Sequence, residues 1–203
     1  MQFENHNNIE TGKIPPQMNH GGHEMFDVHE VLGGAINTLN TYTMLSQHVQ
    51  DPELRDILER QKQFIADEYN ITLECFKTGQ DPSKPTQSYK MNQGNDFMYG
   101  MKPTQPKKPM QTVAEINDDT ISCSMLHAVK SGASAKTMAA IETTNPVVRR
   151  VLADSIPNCI EMAYELSLYQ NKHGYYQVPQ LSQQDMQFIQ NGYSPAPVQP
   201  PIH

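Results

Sequence analysis

The segment Asp51-Pro52-Glu53-Leu54-Arg55-Asp56-Ile57-Leu58 has a counterpart in the second half of the chain, Asn145-Pro146-Val147-Val148-Arg149-Arg150-Val151-Leu152. Each is a helix start. Asp or Asn at the N-cap accepts a hydrogen bond from the first-turn amides. Proline at the next position has no amide to satisfy and already holds a helical φ. Each start follows one segment of helical period and opens another, so the chain reads as two helical hairpins in tandem. Two hairpins that each expose an apolar stripe bury both by packing as a four-helix bundle.

The four segments can be bounded from caps and periodicity. The first helix runs from about Gly22 or Asp27 to Gln50, with the stripe Val28, Leu32, Ala35, Leu39, Tyr42 and Val49. The second runs from Pro52 to about Lys77, and Gly79 suits the left-handed cap that ends it. The third starts near Asn117, Asp118 or Asp119 and uses Ile121, Met125, Leu126, Val129, Ala133 and Ala140. The fourth runs from Pro146 to about Lys172, with Pro157 inside it. A short amphipathic turn follows at Ser182 to Ile189, with Ser182 as its cap.

The loops decide the expected topology. Turns of a residue or two make helices antiparallel neighbours within each hairpin. Between the hairpins lie residues 80–116, with five prolines and no helical period. A helix of about 26 residues is roughly 40 Å long, and a linker of this size can reach about 100 Å. It can climb the bundle and start the third helix at the far end. The expected fold is therefore all-α, a ferritin-like four-helix bundle of two hairpins joined by a long crossover. The expected organisation is a disordered N-terminal arm over 1–20 and a bundle over 21–175. Within the bundle, the hairpins cover about 22–79 and 117–173 around the 80–116 crossover. A proline-rich tail with a short helix follows over 176–203.

Composition excludes several classes of function. The net charge is −7 and no basic run is longer than Lys107-Lys108, so nucleic acid is not an expected partner. No stretch approaches roughly 20 apolar residues, so no membrane span is expected. The first residues have neither a basic region nor an apolar stretch, so no signal peptide is expected. Cys75, Cys123 and Cys159 are odd in number and far apart, and read as small buried hydrophobes.

Bundles of this kind can hold two metal ions through a Glu from each of two helices and a Glu-x-x-His from each of the others. Glu68 lies on the inward stripe, but Ile71 follows it at three; Glu161 is followed by Tyr164. Neither pair supplies an imidazole, and Glu68 has no cation in sight along the sequence. His20, His23 and Asp27 form a second weak candidate, since His23 and Asp27 share a helical face. His20, His23, Asp27, Glu68 and Glu161 are thus weak metal candidates. The expectation is no metal, no cofactor and no catalytic residue. The helix middles should meet through oily and small side chains. The small stretches Gly33-Gly34-Ala35 and Ser131-Gly132-Ala133-Ser134-Ala135 should let helices approach closely.

The run Asn145-Pro146-x-x-Arg149 to Leu152, followed by the fourth helix and Lys172-His173-Gly174-Tyr175-Tyr176-x-x-Pro179, resembles the spore coat protein F family of endospore-forming Firmicutes. The first hairpin looks like a more diverged copy. The resemblance implies a ferritin-like, non-enzymatic protein of the endospore, in the coat or alternatively the forespore, made during sporulation. The expected partners are other spore or coat proteins and further copies of this chain. Gln-, Lys- and Tyr-rich segments at 80–116 and 174–203 are then candidate arms for contacts or covalent crosslinks. The competing reading is a ferritin-like metal-binding protein or oxidoreductase with a non-standard site.

Overall fold

The computed structural model describes residues 10–197. Four long helices, α1 (Gly22–Ser46), α2 (Pro52–Thr78), α3 (Asp118–Glu142) and α4 (Pro146–Lys172), precede a short α5 (Gln183–Asn191). The local chemistry of each start is the one the sequence announces. Asp51 accepts from Glu53 N, Asn145 from Val147 N and Val148 N, Asn117 from Thr120 N and Ser182 from Asp185 N. α2 ends at Gly79 with φ 66°, and a Cβ there would sit 1.8 Å from Pro16 O, so both conformation and space demand glycine. Among the described residues no helix is long and apolar enough to cross a membrane.

The ends of the bundle fix the directions of the helices. At one end the start of α1, the close of α2 and the α3–α4 turn meet: Asn145 Nδ2 donates to Asn19 O (3.2 Å) and Gly79 O (3.3 Å). At the other end the α1–α2 turn meets the start of α3, where Asp118 accepts from Gln50 N (3.0 Å) and Asp51 N (3.1 Å). α4 also finishes there, with Tyr169 OH 3.2 Å from Asp51 Oδ2. Helices therefore neighbour one another in the cyclic order α1, α2, α4, α3, every adjacent pair antiparallel. This is the two-hairpin bundle with a long crossover that the loop lengths imply.

The crossover is not a free arm. It climbs the α2–α4 face, fixed in turn by Ser83 to Glu74, Thr86 to Asp154, Tyr89 to Asn158, Met98 to Asn171 and Lys107 to Asp119. Tyr89 is buried in the core. The sequence reads this Gln-, Lys- and Tyr-rich segment as a candidate arm; it is anchored to the bundle at these points, and its residues 98–114 are exposed. The N-terminal arm differs from expectation in the same way. Residues 1–9 lie outside the described residues, but 10–20 form two 3-10 turns (Thr11–Lys13 and Pro16–Met18), the second against the end of α2. The last part of the proline-rich tail, 198–203, also lies outside the described residues.

The inward faces follow a seam of alternating threes and fours. In α2 it runs Leu54, Leu58, Gln61, Ile65, Glu68, Thr72, Cys75, and in α4 Val148, Val151, Ser155, Asn158, Met162, Glu165, Tyr169, all of them buried. Pro157 faces solvent and α4 runs on through it. The apolar core falls into two clusters, one around Tyr42, Ile57, Met125, Met162 and Leu166, the other around Val28, Ile71, Ala139, Val151 and Leu152. Between them lies a layer of polar side chains.

Candidate functional site

Buried polar side chains build three centres, and the two in the middle of the bundle correct the expectation that the helix middles meet through oily and small side chains. The layer that divides the core is Glu68 of α2, Lys136 of α3 and Asn158 of α4. Lys136 Nζ lies 2.8 Å from Glu68 Oε2 and 3.4 Å from Cys159 Sγ. Asn158 Nδ2 donates to Glu68 Oε1 at 2.7 Å and to Gln87 O at 2.9 Å. Glu68 thus does have a cation. It comes from another hairpin, which is why the sequence around Glu68 does not show it. Burial works against the charge on Lys136, but Glu68 outweighs it and holds the ammonium above its ordinary pKa. Burial likewise pushes the Cys159 thiol up, against the pull of Lys136.

One turn to two turns further along, Glu165 is fully buried and saturated. It receives Arg60 Nη2 at 2.8 Å, Gln61 Nε2 at 3.0 Å and the Tyr89 hydroxyl. Gln61 also donates to Met162 O (3.1 Å) and accepts from Tyr42 OH (2.9 Å). Arg60 donates to Tyr89 OH (2.7 Å) and Asp56 (2.8 Å). Burial and the Glu165 carboxylate together raise the Tyr89 phenol above its usual range. The centre ties three chain segments, α2, α4 and the crossover, to one carboxylate.

The third centre closes the end where α1 starts and the α3–α4 turn lies. Glu24 Oε2 accepts from Thr144 N and Oγ1 (both 2.9 Å) and Asn145 N (3.0 Å), while Oε1 lies 2.6 Å from His20 Nδ1. Burial disfavours the Glu24 charge. The His20 ring and the Asn145 and Thr144 donors more than offset it, so the carboxyl is held below its ordinary value. His20 packs on Phe76 (ring centroids 5.1 Å apart), and its Nε2 is buried without a partner.

The weak metal candidates are scattered. His20 turns inward to Glu24; His23 is exposed; Asp27 and Glu161 are half-buried and make no side-chain hydrogen bond to another described residue; Glu68 serves Lys136. Among the described residues no three His, Cys, Asp or Glu side chains gather where one ion could reach them. Cys75 and Cys159 are buried, but Cys123 is exposed, contrary to the reading of all three as core residues. Sequence reasoning placed none of Glu24, Arg60, Gln61, Tyr89, Lys136, Asn158 and Glu165 in a buried charged centre. Six of these seven had a legible signal, since they sit at or beside seam positions normally filled by apolar residues. Tyr89, in a segment without period, had none.

The small-residue stretches also behave differently from expectation. A Cβ on Gly33 or Gly34 would meet nothing within 4 Å, and one on Gly132 only Cys159 Sγ at 3.8 Å. The helices do not close there. Instead an open groove of about 1050 Å³ lies between α1 and α3, walled by Gly34, Ala35 and Gly132 and floored by Ile65, Val129 and Met162.

With this geometry in view, the comparisons with known proteins fall into one pattern. The family model described as the Coat F domain matches residues 117–179, the α3–α4 hairpin and its exit. The spore coat protein F-like protein YhcQ of Bacillus subtilis (strain 168) is 56% identical over 181 residues, 89% of this chain and 83% of that protein. The chain belongs to the Coat F family. A crystal structure of a candidate spore coat protein from Bacillus halodurans C-125 shares 16% identity with a TM-score of 0.59. The match covers 83% of this chain and 98% of that one. At that identity the likeness carries the fold. In Coat F terms the matched hairpin supplies Lys136, Asn158 and Glu165, whereas their partners Glu68, Arg60 and Gln61 come from the hairpin outside the family match.

Proposed function

We propose that this chain is a non-enzymatic structural component of the bacterial endospore, placed in the coat and made during sporulation, whose bundle is a rigid unit for assembly. The observation that carries the reading is the fate of its buried carboxylates. Glu24, Glu68 and Glu165 are each spent on holding segments of the chain together, by amides, a lysine and an arginine. Charged groups used this way give a defined, stiff packing and are committed to holding the fold. Coat F membership and the likeness to a spore coat protein F-like protein support the coat setting.

The groups available for joining are those that the bundle leaves outside. Tyr99, Tyr176 and Tyr193 are 63%, 54% and 81% exposed, and Gln183, Gln184, Gln187 and Gln190 are exposed on α5. Glutamine with lysine supports an isopeptide bond formed by a transglutaminase with loss of ammonia. Tyr89, being buried, drops out of the set. A fluorescent fusion followed through sporulation should join the forming spore surface; diffuse fluorescence in the mother cell would count against the coat. Elemental analysis of the untagged protein should find less than one equivalent of iron or manganese, and two equivalents would favour the metal-binding alternative.

A further inference from the structure

We propose that Lys136 and Asn158 join in an internal isopeptide bond, made by the chain on itself with Glu68 as the acid–base group. The three side chains bring together what such a bond needs: an amine, a carboxamide and a carboxyl that touches both. Lys136 Nζ lies 2.8 Å from Glu68 Oε2, and Asn158 Nδ2 donates to Glu68 Oε1 at 2.7 Å. The attacking amine and the leaving nitrogen are thus held on the two oxygens of one carboxyl. Lys136 Nζ is also 3.4 Å from Sγ of Cys159, the residue after Asn158. The Asn158 amide is pinned along its edges: Oδ1 accepts from Tyr89 N at 2.8 Å, and Nδ2 also donates to Gln87 O at 2.9 Å. Hydrogen bonds to such a group lie near its plane, so they leave the faces of Cγ to an attacking amine. The side chains of Lys136 and Glu68 are 12% and 10% exposed, and Asn158 is 4% exposed. Water is therefore a poor competitor for Cγ.

The step balances with no outside reagent. Burial disfavours the Lys136 ammonium and Glu68 sustains it. One proton passed from Nζ to Glu68 leaves a free amine and a neutral carboxyl, and removes both charges from the apolar surroundings. The Nζ lone pair then attacks Cγ. The new N–C bond forms, and the carbonyl pair moves to Oδ1, where the Tyr89 amide stabilises it. Glu68 gives its proton to Nδ2 and takes a second one from Nζ. The Cγ–Nδ2 bond breaks with its pair on nitrogen, and ammonia leaves. The products are one secondary amide, one ammonia and Glu68 in its neutral form. Lys136 lines the open α1–α3 groove, which gives ammonia an exit. Fixed proximity of amine and amide supplies the rate, and each molecule reacts only once. The charged pair first selects the register of α3 on α4, and the bond then makes it permanent by limiting how far the hairpin can open in the unfolded chain. This chemistry consumes the chain's own groups and does not depend on the assembly reading.

Mass spectrometry of the purified full chain, reduced and unfolded, tests the bond. Wild type should be lighter than its sequence by one molecule of ammonia. Its tryptic map should hold one branched peptide that joins residues 131–149 to residues 151–172, uncut after Lys136. Lys136→Arg keeps a cation beside Glu68 but has no primary amine, and should keep its full sequence mass with circular dichroism unchanged. Glu68→Gln keeps the shape but cannot carry protons, and should leave the two segments unjoined. A purely structural role of these residues moves neither mass nor map. Wild type that stays at its full sequence mass after days in the folded state at neutral pH overturns the proposal. So does a loss of ammonia that Lys136→Arg retains, and so does a branch from Lys136 to Glu68 with loss of water. The wild-type map decides the matter even where a variant fails to fold.

Discussion

Glu165 is fully buried beside a guanidinium, so the chain must keep both partners or neither. Removing one partner of such a pair leaves an uncompensated buried charge. Glu165→Ala is expected to lower stability in urea by about 2 to 3 kcal/mol, reduced from the fullest case because Arg60 keeps Asp56. Glu165→Gln, which still accepts hydrogen bonds, should lose about half as much. Glu24 adds a pH dependence. Its folded carboxyl titrates below the ordinary value of 4.5, so its ionisation favours the folded state fully above that value. The contribution is lost as pH falls through the ordinary range toward the folded one. Glu24→Gln should therefore be less stable at neutral pH and show a flatter loss of stability in acid, read from urea midpoints between about pH 6 and 3. Glu165 occupies a seam position, so its burial was legible; its partner Arg60 and the Thr144 and Asn145 donors to Glu24, drawn from distant segments, were not.

The helices were the most legible level, because cap chemistry and period are local. Asp51-Pro52, Asn117, Asn145-Pro146 and Ser182 each mark a start within the sequence itself, and Gly79 marks an end. Pro157 is the one local rule broken. It lies inside α4 on the solvent face, where the ring removes a helical hydrogen bond without disturbing the core. Pro157→Ala should raise the thermal midpoint, equivalent to about 1 to 2 kcal/mol. The gain falls short of the full helix penalty of about 3 kcal/mol because proline also restricts the unfolded chain. The small-residue stretches show the limit of local reading. Gly34 and Gly132 allow close approach but do not compel it, and the backbones on either side decide that a groove forms.

At the scale of the whole molecule, the crossover acts as a strap that locks the two hairpins in register. Its deepest anchor is Tyr89, which reaches Arg60 and Glu165 while its amide donates to Asn158 at 2.8 Å. Tyr89→Ala should release the strap without unfolding the helices. Trypsin cleavage at Lys90 should accelerate about tenfold, with helical circular dichroism retained; cleavage at the wild-type rate would show that the strap is held elsewhere. The Glu68–Lys136–Asn158 layer plays a matching part inside. It sits between two apolar clusters that could otherwise slide by a turn, and a paired charge between them penalises every other register.

The amino-acid sequence on its own determined the helices, their starts and stops, the antiparallel hairpins and the long return between them, because caps, periods and loop lengths act over a few residues. It also placed the chain near its family, through a motif confined to one hairpin. Only the tertiary structure decided that Glu68 meets Lys136, that Tyr89 is core, that Cys123 is not, and that the packed helices α1 and α3 leave a groove along part of their length. Those outcomes depend on distances between segments far apart in the chain, which no short-range pattern encodes.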